Sequence, residues 1–232
     1  MRRILFLQNG TEKFSPSRVE RRFEASGCAV DYYWAFKGEF PETVEAYEGA
    51  FISGSPHGAY EDIAWIHREH EIVRDLARRR IPMLGVCFGS QILASALCGR
   101  EQVFRRSRCE VGYLNVRLTT HCAQDALMTA VPDGVRMFIW HNDEVRHEHA
   151  DMCVLGVTEG CPNQIWRFRD LPIWGIQGHA ELDRDQAVAV FTKNRARLSQ
   201  DGADVDQLLR EADDTLEAKI LINNFIDVCA TP

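Results

Sequence analysis

Between Ile81 and Leu97 an apolar run passes through Gly85-Val-Cys87-Phe-Gly89-Ser-Gln91 and continues as a helical pattern. A strand that turns sharply into a helix needs small neighbours, and Gly85 and Gly89 supply them. The spacing therefore predicts a nucleophile elbow that lifts the Cys87 side chain above a sheet edge. Unpaired amides and the positive dipole end at a helix N-terminus favour an anion, so a thiol placed there becomes more acidic. A cysteine in an apolar run is by default a buried structural residue; the two glycines reverse that default. A thiolate in acyl transfer also needs a base, and the base needs an acceptor to orient it. Gly175-Ile-Gln-Gly-His179-Ala-Glu181 offers both, because the strand-like run before it would bring His179 out at a sheet edge, with Glu181 able to fold back on the imidazole. The last requirement is a pair of donors for a tetrahedral oxyanion. Phe51-Ile-Ser-Gly54-Ser55-Pro56 ends a strand in a tight turn whose Ser55 amide could act with the Phe88 amide at the start of the elbow helix.

Such groups need a sheet whose strand ends converge. Short runs rich in Ile, Val and Phe alternate with helical patterns over the first hundred residues, the signature of an open α/β sheet with parallel strands. Strands are expected at 3–8, 29–35, 49–53 and 81–86, and helices at 16–26, 61–79 and 89–98. Further on, 102–107, 111–118, 135–140, 153–158, 164–168 and 173–177 are short β-like runs between turn residues, as an antiparallel extension would give. Helical periodicity returns at 184–198 and 204–228, with Gly202 as a stop signal and Asp204 as a cap. The expected fold is a three-layer, open, mostly parallel but mixed sheet with helices on both faces. With no repeat, low-complexity tract or Pro/Gly-rich linker, residues 1–232 are expected to form a single domain, on which the helices of 183–232 pack.

The blocks around Cys87, Gly54 and His179 resemble those of the class I, triad-type glutamine amidotransferases, whose glutaminase domains carry a Gly-x-Cys-x-Gly-x-Gln elbow and a downstream His-x-Glu. The blocks occur in the expected order across residues 1–182, and the chain is similar to free-standing glutaminase parts of GMP synthase, without a synthase domain. The resemblance implies a flavodoxin-like fold. It also implies that Cys87 attacks the glutamine carboxamide to form a γ-glutamyl thioester, that His179 is the base and acid, and that Glu181 orients it. Gln91 would hold the amino-acid end of the substrate, and Gly54 would border the pocket. Trp140-His141-Asn142-Asp143 looks like the counterpart of the family's His-Gly-Asp segment, whose backbone grips the substrate, with Asn142 in place of glycine. Asparagine tolerates positive φ better than most residues. Glu110-Val-Gly112 looks like a structural Glu-x-Gly strand start. His179-Ala180-Glu181 stands where the family usually has His-Pro-Glu, and Gly54-Ser55-Pro56 where it has Gly-Gly-Pro.

A net charge of −7 with scattered basic residues disfavours nucleic acid as a partner. The densest basic runs, Arg105-Arg-Ser-Arg108 and Arg78-Arg-Arg80, read as a solvated surface and a helix end. Gln8-Asn-Gly10 interrupts the first apolar run before a signal peptide or membrane span could form. Eight cysteines without a Cys-x-x-Cys pair suit a reducing cytoplasm. His67-x-x-His70 and His147-x-His149 lack the partners of a zinc site, so no metal or other cofactor is expected, and His67 and His70 are read as partly exposed beside a packing face. His57 reads as a solvent-facing loop residue. The expected substrate is glutamine, with a separate synthase subunit as a possible ammonia acceptor. Two alternatives stand beside this: a γ-glutamyl peptidase that uses the same acyl chemistry with an amine leaving group, and a catalytically silent relative that binds a metabolite or a partner.

Overall fold

The computed structural model describes residues 1–10 and 18–230. Its first strand, β1 (Arg3–Gln8), sets the layering. Side chains alternate across a strand, so Ile4 and Phe6 enter one buried cluster while Leu5 and Leu7 enter another. In β3 (Gly49–Ile52) and β4 (Met83–Val86) the same division sends Phe51, Leu84 and Val86 one way and Ala50, Ile52 and Met83 the other. Burial on both faces explains why these strands read as continuous apolar runs. Helices α1 (Arg18–Ala25) and α7 (Lys219–Ala230) cover the first face, where Phe23 and Phe225 meet edge to face at 6.1 Å. Helices α2 (Ala64–Arg78) and α3 (Phe88–Cys98) cover the second.

With β2 (Ala29–Trp34), β5 (Val103–Leu118), β6 (Val135–Val145), β7 (Met152–Val157), β8 (Ile165–Phe168) and β9 (Ile173–Ile176), the nine strands lie in the order β2-β1-β3-β4-β9-β8-β7-β5-β6. The first five are mutually parallel and the rest pair antiparallel. The crossover after β1 runs outward to β2 over one face, and that after β3 runs inward to β4 over the other. Strand order thus reverses between β1 and β3, and a crevice opens at the carboxyl ends of the strands beside this switch.

Three expectations change in detail. The runs at 102–107 and 111–118 are one strand, β5, whose register against β6 shifts between Arg105 and Glu110; the polar residues between them are the irregularity, not a turn. The C-terminal helical stretches break in two: α4 (Arg184–Lys193) and α5 (Arg195–Gln200), then α6 (Val205–Glu211) and α7. Before α7, the Asp213 carboxylate accepts from the Thr215 amide at 2.8 Å, a local bond that competes with helix. Gly202 takes a φ of 95° and Asp204 caps α6 by accepting from the Gln207 amide, as expected. The start of the helix expected at 16–26 lies outside the described residues.

Two surface assignments are corrected. His70 is buried, because α2 packs against both α3 and the turn after β2; His67 is partly exposed as expected, between Asp62 and Arg100. Arg106 is not part of a uniformly solvated basic run, since its guanidinium is drawn inward onto Glu144 and donates to the Gly160 carbonyl. Helices α4 to α6 form a third apolar cluster with Phe138 of β6, and this places them over one side of the crevice.

Candidate active site

The elbow forms as the spacing requires. A methyl group on Gly85 would strike the Gly89 carbonyl, and one on Gly89 would strike the Ile52 carbonyl, so strand and helix can approach this closely only through glycine. Cys87, between them, has φ 54° and ψ −109°, a strained conformation for a residue with a side chain. Its amide donates to the Ile176 carbonyl at 2.8 Å, and this ties the turn to β9. The thiol points into the crevice, donates to the Trp140 carbonyl oxygen at 3.8 Å and shares the crevice lining with His179.

His179 follows β9 and is fixed twice. Its amide donates to the Phe138 carbonyl at 2.7 Å, and its ring stacks on Phe138 with centroids 5.8 Å apart. Nδ1 lies 2.8 Å from Glu181 Oε1. Burial alone would lower the imidazole pKa; the Glu181 carboxylate and Cys87 outweigh it and hold His179 well above its ordinary value. Cys87 and the His179–Glu181 pair, more than ninety residues apart in sequence, thus line one crevice.

Gly54 fills the space between Cys87 and His179: a Cβ there would lie 3.4 Å from Cys87 Cβ and 3.5 Å from His179 Cε1. Ser55 follows at the crevice wall, where its hydroxyl accepts from the His57 amide. His57 is not simply solvent-facing, because Nδ1 pairs with Glu61 at 2.9 Å and the ring meets Trp65 edge-on. Phe88 begins α3 beside Cys87. The Gln91 side chain is buried, and its amide nitrogen donates to the Asp143 carbonyl at 3.1 Å, so it clamps the 141–143 segment as well as lining the crevice.

The His141 ring is held within the protein by partners at both nitrogens. Nε2 lies 2.7 Å from Glu110 and Nδ1 2.9 Å from the Asp143 carbonyl, leaving only its backbone for the crevice. Glu110 also accepts from Thr158 at 2.6 Å and Gln164 at 2.6 Å; burial pushes its carboxyl up, but His141, the Thr158 bond and Arg106 win and hold it below the ordinary value. Asp143 accepts from Tyr60 at 3.2 Å and lies 3.5 Å from Arg105; burial raises its pKa despite both. Asn142 donates to Asp201 at 3.3 Å, and the Trp140 indole donates to the same carboxylate at 2.8 Å. Asp201, Tyr60 and Arg105 have no local sequence signal. They become visible only when α5, the loop after β3 and the β5 irregularity converge.

The crevice has a volume of about 330 Å³, and its far wall is supplied by Gln186, Val190 and Lys193 of α4, Arg197 of α5 and Asn194 between them. Among the described residues, one group brings three possible metal ligands within 4.8 Å of one another: Glu110, His141 and Cys161. Its histidine and carboxylate are hydrogen-bonded to each other, and burial pushes the Cys161 thiol up to about 12, so the group fits a hydrogen-bond network better than a metal centre.

A mixed α/β sheet with a cysteine, a histidine and a carboxylate at its parallel strand ends defines an enzyme of the amidotransferase and hydrolase class. Residues 16–196 match the model of the family Glutamine amidotransferase class-I, and the chain belongs to that family. It is 28% identical over 182 residues to the glutamine-hydrolyzing GMP synthase of Porphyromonas gingivalis, covering 78% of this chain and 33% of that protein, so it spans a third of that relative's length. It is 30% identical over 158 residues to Gamma-glutamyl peptidase 4 of Arabidopsis thaliana, covering 67% of this chain and 62% of that one. A glutamine amidotransferase of Thermotoga maritima has the same fold, with a TM-score of 0.85 at 23% identity over 99% of both chains. No helix among the described residues is long and apolar enough to cross a membrane.

Proposed function

We propose that the chain hydrolyses the side-chain amide of glutamine, as a single amidotransferase-like domain, through a thioester on Cys87. His179 takes the thiol proton as Sγ attacks the carboxamide carbon. The oxyanion accepts hydrogen bonds from the Ser55 and Phe88 amides, and the proton passes to the departing ammonia. A water then attacks the γ-glutamyl thioester with His179 as base, releasing glutamate and restoring the thiol. Glu181 orients the imidazole and stabilises its charged form. Gly54, Gln91 and the backbone of His141, Asn142 and Asp143 shape the seat for the substrate's amino-acid end. The observation that carries this reading is the Cys87–His179–Glu181 line itself, with the thiol at a helix start and the His179–Glu181 bond at 2.8 Å. Ammonia would pass to a separate synthase subunit. Eight free cysteines are in keeping with a reducing, cytoplasmic setting.

A second reading has its own support. Lys193 and Arg197 on the far wall would suit a carboxylate on a leaving group larger than ammonia, as in a γ-glutamyl peptide, and one relative is a γ-glutamyl peptidase. The deciding measurement is product release from L-glutamine and from glutathione in parallel, with Cys87→Ala as control. Cys87-dependent ammonia supports the first reading, and peptide cleavage alone supports the second. Silence on both, with Cys87 alkylated by iodoacetamide no faster than the other cysteines, would leave a binding role.

A further inference from the structure

Behind the Gly54 turn lies a carboxyl group that the reaction above does not use. Glu69 of α2 is completely buried. Its Oε1 accepts from Asn9 Nδ2 at 2.9 Å, while its Oε2 has no partner. Asn9, just past β1, is also fully buried, and its Oδ1 is likewise without a partner. Asn9 in turn grips Ser53: its backbone amide donates to Ser53 Oγ at 2.9 Å, and its side-chain amide reaches the Ser53 carbonyl at 3.3 Å. Ser53 is the residue before Gly54 and Ser55.

Two orphaned oxygens on two side chains that already share one hydrogen bond are what results when a proton is left out. A carboxylic acid facing a primary amide forms two parallel bonds, amide N–H to acid C=O and acid O–H to amide C=O, whereas a carboxylate can accept only the first. We propose that Glu69 is a positioning residue held as the neutral acid, whose O–H donates to Asn9 Oδ1 and so locks Asn9 on Ser53 and fixes the Ser53–Ser55 segment beside Cys87. The surroundings agree. Asn9 and Ser53, which face it from the ends of β1 and β3, are uncharged. His70, its neighbour on α2, is kept neutral by burial, which brings it down to about 4. Burial likewise pushes Glu69 up to about 8, against the opposing Asn9 bond, and no cation among the described residues offsets it. As a neutral acid, Glu69 lets the segment donate to an oxyanion without a second negative charge beneath it.

The positioning role rests on the proposed amide hydrolysis; the protonation does not, so the two are tested separately. Thermal stability is followed from pH 5 to 9 in the wild type, Glu69→Gln and Glu69→Leu, without substrate. Because the folded Glu69 pKa lies above its unfolded value, its contribution is complete at pH 4 and is lost as pH rises through about 8. The wild type should show this loss and Glu69→Gln should not; equal slopes would overturn the proposal. For positioning, Glu69→Leu should lower kcat by about 10²-fold with little change in KM. Glu69→Gln should recover that loss and remove the fall in activity above pH 8. An unchanged kcat in Glu69→Leu overturns the positioning role. If Glu69→Leu does not fold, the pH profile of Glu69→Gln decides. If the wild type itself turns over neither glutamine nor glutathione, amide exchange at Ser53–Ser55 decides, since the proposal requires protection in the wild type and Glu69→Gln and its loss in Glu69→Leu.

Discussion

His179 shows why a weak sequence signal becomes a strong structural one. A histidine two residues from a glutamate is ordinary surface chemistry, yet here the imidazole is stacked on Phe138, hydrogen-bonded through its own amide and aimed between a thiol and a carboxylate. Its raised pKa arises mainly from Glu181 acting against burial. Replacing Glu181 by Gln should therefore move the His179 titration, followed by NMR of the imidazole, to lower pH, and should reduce turnover by about 10²-fold through loss of orientation. A titration unmoved by the substitution would remove Glu181 from the site. His141 is the opposite case. Sequence resemblance places it in the substrate segment, but its ring serves Glu110, because a strand that presents its backbone to a crevice must turn the side chain elsewhere.

At the scale of elements, the β4–α3 elbow is specified by packing as well as by turn geometry. Gly89 sits where the Ile52 carbonyl of β3 leaves no room for a methyl group. Gly89→Ala should cost about 3 kcal/mol or prevent folding, since backbone cannot swing aside as a side chain can; urea denaturation against the wild type measures this. These glycines were legible because an elbow demands them locally. The long strand β5 was not: its polar stretch Arg106–Cys109 reads as a turn, and only pairing with β6 on both sides keeps it a strand. The break between α6 and α7 was hidden for a related reason. Helical periodicity continues through it, whereas Asp213 is engaged by Arg136 of β6 and the Thr215 amide, and the Asp214 carbonyl by the Lys219 side chain.

Across the whole molecule, the C-terminal helices are tied to the site. Lys219 of α7 is buried, lies 2.6 Å from Asp183 and donates to the Leu182 carbonyl at 2.9 Å, directly after Glu181. Asp183 also caps α4, whose cluster includes Phe138 beneath His179. Lys219→Met would leave the buried Asp183 carboxylate without its ammonium partner. The expected loss is about 3 kcal/mol in chemical denaturation, the low end for breaking one member of a buried pair. Turnover should fall further than the population of folded protein accounts for, because the 179–183 turn loosens. Equal stability would mean that the nearby Arg22, 4.0 Å from the same carboxylate, compensates.

The sequence by itself determined the alternation of strands and helices, the elbow and the identity of the Cys87, His179 and Glu181 cluster. These depend on short-range requirements: side-chain period, turn sterics and which groups can exchange a proton. The tertiary structure alone decided what stands behind and around them. The Asn9–Glu69 pair, the Asp201 anchor of Trp140 and Asn142, the inward ring of His141 and the far wall from α4 and α5 join residues whose local sequence is unremarkable. Their roles come from burial and juxtaposition, where a polar group withdrawn from water must find its partner wherever the fold has brought one.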